Sequence, residues 1–481
     1  MLRYLFSADS DSGYTTADIE QIRIACSHCH LFPDPKIASD VGWKRVLPAM
    51  VEQSRDLRLR LPENSAIRQY FFDLARSQQI YKTEDEGGSR FVLKEDADSL
   101  RYTGAVKIAC INSISEIVLL CDLGRQAIVA IDLSGFAPQL TSISVVTAPV
   151  HITITDLDQD GSYDMVISDI GQLQPADTDT GRILWLRTLK DQTLELVPLV
   201  TGLSRVVETY VRDMDNDGDL DLVVAEFGHA RTGGLYVYWN DSTSNSSAPN
   251  FERQTLDSRS GIASLVIVDI DNNGFLDVIA SVSQEHEEII AHTNFGSKQF
   301  RHQTVFKAPH PAWGLAGIAV ADIDADGNLD ILSTSGDHLD SLELKEFHGL
   351  YWSKLQIDGA YETQRLATLP GALRIKVSDL DNDGDLDLIV TALLSPMALP
   401  RDMSGEVMLD TLIWLENHGG GEFQRHVVSK GAQGFSAVLT LDIDQDGDID
   451  LITSRLDYVE YTSREGEREN QIIQIYLNSS I

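Results

Sequence analysis

The stretch Asp156-Leu-Asp-Gln-Asp-Gly-Ser-Tyr-Asp164 decides the fold, because it returns five more times along the chain. The copies run Asp213 to Asp221, Asp269 to Asp277, Asp322 to Asp330, Asp379 to Asp387 and Asp442 to Asp450. Their starts lie 57, 56, 53, 57 and 63 residues apart, and each reads D-x-D-x-[DN]-G-x-x-D. An apolar run follows each copy, as in Asp221-Leu-Val-Val-Ala, and another precedes it, as in Ala437-Val-Leu-Thr-Leu. A third strand-like run, Gly234-Leu-Tyr-Val-Tyr-Trp, ends at Asn240, and its counterpart Thr411-Leu-Ile-Trp-Leu ends at Asn417. A fourth follows a Gly-rich turn, as in Glu422-Phe-Gln-Arg-His-Val-Val. Four short strands per repeat of this size are the pattern of a propeller blade.

Outward from the loops, the ring is completed on both sides. Gly104 to Val146 holds four more strand-like runs, with Asn112-Ser-Ile-Ser where an aspartate loop would fall, and so reads as a blade without the loop. The last repeat stops after three strands at Asn478, while Arg90-Phe-Val-Leu-Lys is an orphan strand. Pairing Phe91 to Leu93 with Ile472 to Leu477 closes the ring and removes its exposed edges. The expected fold is all-β: a seven-bladed β-propeller of four-stranded blades over residues 86–481, six blades carrying the loop.

Carboxylates at loop positions one, three, five and nine suit a hard cation with six to eight oxygen ligands. Gly at position six permits the sharp turn and position seven offers its carbonyl, which favours calcium over the stricter magnesium. The expected ligands are Asp156, Asp158, Asp160 and Asp164, then Asp213, Asp215, Asp217 and Asp221, then Asp269, Asp271, Asn273 and Asp277. The remaining loops offer Asp322, Asp324, Asp326 and Asp330, then Asp379, Asp381, Asp383 and Asp387, then Asp442, Asp444, Asp446 and Asp450. Up to six structural calcium ions are expected. The loops hold 26 aspartates, so much of the net charge of −36 sits in metal sites. That charge repels nucleic acid and anionic membranes, and no apolar run is long enough to span a bilayer.

These residues resemble the FG-GAP/VCBS repeat family, known from integrin α-subunit propellers and many bacterial surface proteins. The resemblance covers about residues 86–481. It implies calcium in the loop between the first and second strands of a blade, and it implies no activity.

Because strands alternate in direction, turns between second and third strands share the opposite face with the blade-to-blade connections. Residues outside the repeat pattern gather in those segments: Arg205, Glu208, Glu226, His229, Gln284, Glu285, His286, Glu287, His310, Trp313, Asp337, His338, Asp340 and His348. Loops on a rigid scaffold carry binding and catalytic groups, so this face is the expected ligand face, for a glycan, a protein or a redox partner. No Ser/His/Asp spacing, phosphate-cradling Gly loop or zinc signature occurs among them, so the sequence leaves catalysis open.

Before the propeller, Cys26-Ser-His-Cys29-His30 fits C-x-x-C-H, the pattern for covalent haem c with His30 as the proximal ligand. Met50 in Trp43-Lys-Arg-Val-Leu-Pro-Ala-Met50 is the candidate distal ligand, with packing on Trp43 as the alternative. Ser65 to Gln79 reads as an amphipathic helix. Together these resemble a small α-helical class I cytochrome c over residues 16–82, shortened, and with Pro48 close to Met50. Zinc on Cys26, Cys29 and His28 or His30 is the rival and lacks a clear fourth ligand. Cys110 and Cys121 read as about four residues out of register across one hairpin, beyond disulfide reach, and hence as buried small hydrophobes.

Met1 to Tyr14 shows no apolar core or small-residue cleavage site, so no signal peptide is read there. Calcium and haem nonetheless point to a periplasmic, cell-surface or secreted monomer. Three functions remain open: a binding or adhesion propeller, a haem oxidoreductase with substrate on the propeller face, and a propeller hydrolase or lyase without haem.

Overall fold

The computed structural model describes residues 22–23, 35–39, 42–48, 71, 91–93, 108–114, 117–133, 139–241, 249–339, 342–395, 398, 408–431, 434–454 and 473–478. They build seven four-stranded antiparallel sheets. Blade one comprises Ile108–Ile114, Ile117–Asp122, Ala127–Asp132 and Gln139–Val145. Blades two to six start at Pro149–Thr155, Val206–Arg212, Ile262–Val268, Leu315–Ala321 and Ala372–Ser378, each taking four consecutive strands. Blade seven joins Ala437–Leu441, Asp450–Ser454 and Ile473–Asn478 to the early strand Phe91–Leu93. Phe91 stands opposite Asn478, Val92 opposite Leu477 and Leu93 opposite Tyr476, which is the expected ring closure.

The hydrophobic pattern explains the layering. Every residue of Asp221–Glu226, Asp277–Val282, Asp330–Ser335 and Asp387–Ala392 is buried, because second strands are packed by neighbouring blades on both faces. Such strands read as continuous apolar runs. Fourth strands lie at the rim and alternate with exposed polar residues, as in Phe251–Asp257. The core therefore fills the seams between blades. Between blades five and six, Leu332, Leu350 and Trp352 pack with Leu388, Val390 and Ile413. The first strands neighbour one another around the ring and line its centre.

Blade one corrects one expectation. Ile114 pairs with Ile117, and the same register puts Cys110 opposite Cys121, which is disulfide-bonded. The hairpin turns after Ile114, later than the Asn112–Ser115 segment implied, and moving a turn shifts every pair of the ladder.

Candidate metal centres and ligand face

Each aspartate loop joins the first and second strands of its blade, so all six open on one face. The backbone enters the left-handed region twice per loop, as at Asn382 (φ 59°) and Gly384 (φ 98°). No atom crowds the position of a Cβ at Gly384, so conformation and not space demands the glycine. This winding turns N–H groups inward. Asp156 Oδ1 and Oδ2 accept the N–H groups of Asp160 and Gly161 at 3.0 and 2.8 Å, and Asp213 repeats this with Asp217 and Gly218. Position five turns one oxygen onto the N–H of position seven, as from Ser162 to Asp160 at 2.9 Å.

The ninth aspartate is the buried anchor. Asp387 is fully buried, and its oxygens accept the N–H groups of Leu380 at 3.0 Å and Asn417 at 2.8 Å. Asp221, Asp277 and Asp450 are held in the same way, with Asn240, Asn294 and Asn478 donating from the third strand. Ligand atoms of positions one, three and nine lie within 4.8 Å of one another in the loops starting at Asp156, Asp213, Asp269, Asp322 and Asp379. Burial, reinforced by neighbouring loop carboxylates, pushes Asp221 up to about 7 and Asp277, Asp330, Asp387 and Asp450 up to about 6. Oxygens of Asp215, Asp324, Asp379 and Asp442 are buried with no hydrogen-bond partner. Convergent, buried carboxylate oxygens of this kind fit a divalent cation, which offsets both the desolvation and the mutual repulsion.

Two features of the loops escaped sequence reasoning. The terminal asparagines of the third strands are ties between loops. Asn294 Nδ2 donates to Met214 O at 2.8 Å and Asn417 Nδ2 to Ile323 O at 2.8 Å, each reaching the loop of the preceding blade. Asn478 Nδ2 does the same to Leu380 O at 2.5 Å. Their recurrence at the ends of third strands was the available signal. Blades two and five lack the asparagine and supply a cation instead. Arg187 pairs with Asp158, and Lys354 pairs with Asp324 and, at 2.9 Å, with Asp326.

On the opposite face, several expected ligand residues hold the scaffold together. Arg205 donates to Gly228 O at 2.9 Å and Leu173 O at 3.0 Å. Glu226 accepts the N–H and Oγ–H of Ser204 at 2.8 and 2.6 Å, and Glu287 accepts Leu315 N–H at 2.8 Å. Buried His338 and His348 accept backbone N–H groups of Ser395 and Gly371, both at 3.3 Å. His229, Gln284, Glu285, His286 and Asp337 are half-buried. Burial lowers the His286 pKa. His310, Trp313 and His348 come together around Phe347, which no repeat or motif marks: Trp313 stacks on it at 4.8 Å and His310 meets its ring at 4.5 Å. Asp340 lies outside the described residues.

The N-terminal segment touches this face. Ser39 donates its N–H to Glu343 Oε2 at 3.0 Å and its hydroxyl to Oε1, and Glu343 belongs to the link between the second and third strands of blade five. A side chain at Gly42 would begin 2.7 Å from that carboxylate, so glycine lets the carboxylate approach this closely. Trp43 and Leu47 are buried, and Trp43 packs on Phe71 at 4.3 Å. Cys26, Cys29, His30 and Met50, the expected haem ligands, lie outside the described residues.

Residues 213–280 and 379–453 match the FG-GAP-like repeat family, so the chain carries FG-GAP-like repeats within a seven-bladed propeller. No curated protein matches the chain. Solved structures similar to it include a catalytically inactive virginiamycin B lyase from Staphylococcus aureus with quinupristin, at 12% identity and TM-score 0.45, over 80% of this chain and 98% of that one. A protein from Lactobacillus plantarum is similar at 13% identity and TM-score 0.44, over 69% and 87% of the two chains. The computationally designed Ika8 protein is similar at 10% identity and TM-score 0.41, over 78% and 96%.

Proposed function

We propose that this chain is a calcium-stabilised propeller scaffold that works outside the cytoplasm and binds its partner, a protein or a glycan, on the face away from the aspartate loops. One observation carries the calcium reading: positions one, three and nine converge in loop after loop, with buried carboxylate oxygens lacking any donor. Ions that bind only the folded state add stability at every site they fill. Thermal melts of metal-stripped protein, back-titrated with Ca²⁺ and with Mg²⁺, test this. Recovery by Ca²⁺ at far lower concentration than Mg²⁺ is expected, and a stripped protein that melts like the loaded one overturns the reading.

The disulfide at Cys121 supports an oxidising compartment. Mass spectrometry after alkylation without reductant checks it: a freely alkylated Cys121 in the native source would count against the extracytoplasmic setting.

A second reading adds haem c and electron transfer. It is favoured by C-x-x-C-H at Cys26 to His30 together with the contact of Ser39 with Glu343, which brings the N-terminal segment onto the ligand face. Such a haem would take electrons from a redox partner or substrate held there. Expression with haem-maturation machinery should yield c-type absorption bands, and colourless folded protein ends this reading while leaving the scaffold intact.

A further inference from the structure

The centre of the ring encloses a cavity of about 550 Å³ lined by the first strands of the blades. Its polar residues are ordered by the repeat. His151, Glu208, Ser264 and Arg374 each stand five residues before the first aspartate of their own loop, so they share one level. In each of these four strands the ladder slips just before that residue, between Pro149 and His151, Val206 and Glu208, Ile262 and Ser264, and Ala372 and Arg374. Bulges of this sort re-aim a side chain and recur beside functional sites. Tyr210 and Lys376 stand two residues further on, and Arg212 two beyond Tyr210.

The charges at this centre do not balance. Among the described residues Glu208 is the one acid lining the cavity, which Arg212, Arg374 and Lys376 also line. Arg374 reaches across the ring to Glu208 at 3.1 Å, and Glu208 also accepts Leu265 N–H at 2.9 Å. Arg212 donates to its neighbour Val211 O and meets no carboxylate among the described residues. Lys376 makes neither a hydrogen bond nor an ion pair among them; water reaches its side chain, and burial within the ring together with the charge of Arg374 lowers its pKa. Burial together with the charges of Arg374 and Lys376 holds the His151 pKa down to about 3. A neutral His151 whose Nδ1 accepts Thr209 N–H at 3.4 Å presents Nε2–H as a donor. Its ring lies 4.9 Å from that of Tyr210.

We infer that the central cavity is a binding site for a small organic dianion, held by Lys376, Arg212 and Arg374 and oriented by His151 and Tyr210. Three cations against one acid leave an excess of two positive charges, in a chain whose net charge is −36. The volume lies within the range of small-molecule sites, and hydrogen bonds from charged donors to charged oxygens are stronger than neutral ones. This site is independent of whatever partner the outer face takes.

Isothermal titration of calcium-loaded full-length protein at constant ionic strength tests the inference. The probes are succinate, methyl phosphate and neutral succinamide, so the two charged arms separate a dicarboxylate from a phosphate ester. One charged probe should bind with one-to-one stoichiometry and succinamide should not. Lys376→Met removes no hydrogen bond or ion pair among the described residues and should weaken binding about tenfold, the scale of one lost charge-assisted hydrogen bond. Calcium-loaded melting of that variant should match the wild type, which shows that the fold is retained. Absence of binding by both charged probes, equal binding of succinamide, or unchanged affinity in a folded Lys376→Met protein each overturns the site.

Discussion

Blades two and five answer the same electrostatic problem differently from blades three, four, six and seven. In blades three, four, six and seven, an asparagine at the end of the third strand donates its backbone N–H to the ninth aspartate. The side chains of Asn294, Asn417 and Asn478 tie that strand to the loop of the preceding blade. In blades two and five the strand ends in Thr188 and Leu355, Thr188 N–H still donating to Asp164 at 2.7 Å, and Arg187 or Lys354 sits on the carboxylate at position three. The loops of blades two and five meet a cation from their own third strand, and that of blade three meets Lys298 of blade four, 3.9 Å from Asp215. The asparagine ties run to the loops of blades three, five and six. The difference teaches that six copies of one motif need not be six equal sites.

Metal removal should have the largest effect. Each site held at a hundredfold above its Kd contributes about 2.7 kcal/mol, so loss of several sites removes a large share of the stability of the fold. Hydrogen-exchange mass spectrometry of chelated protein sharpens the comparison: blade four should lose protection before blades two, three and five, whose loops keep a cation. Uniform loss around the ring would break it.

Next in size is Asp387→Ala, expected to cost about 3 kcal/mol, because it strands two buried N–H groups and removes a converging ligand. Asp385→Ala, at position seven, where only the backbone carbonyl is offered, should stay within about 0.5 kcal/mol. Denaturant unfolding in saturating calcium measures both, and equal costs would contradict the buried-anchor role.

Asn417→Ala should cost about 1–2 kcal/mol by leaving the carbonyls of Ile323 and Leu386 unmet, whereas Thr188→Ala in blade two should cost less. The same unfolding curves decide it. The smallest effect belongs to Lys354→Gln, which frees Asp324 and Asp326 for the metal. Calcium titration should show one site tightened by about threefold to tenfold, a change that added salt diminishes because Lys354 is partly exposed. Weaker calcium binding by this variant would mean that Lys354 organises the loop instead of competing for it.

The sequence by itself determined the ring. A nine-residue motif with fixed flanking runs specifies local turn geometry and strand burial, both of which are readable from spacing. It also determined closure, because a three-strand last repeat and an orphan early strand leave two edges that can meet only each other. Only the tertiary structure decided what the non-repeating residues do. Arg205, Glu226 and His348 each exchange a hydrogen bond with a backbone group of a neighbouring segment, which no local pattern displays. Cys110 and Cys121 hung on where one hairpin turns, and a small displacement of that turn changes every partner. The central cluster of His151, Glu208 and Arg374 is assembled from blades two, three and six, over more than 200 residues of chain. Their shared offset from the aspartate loops was present in the sequence all along. It acquires meaning only when ring closure turns equal positions along the repeat into one level around a common axis.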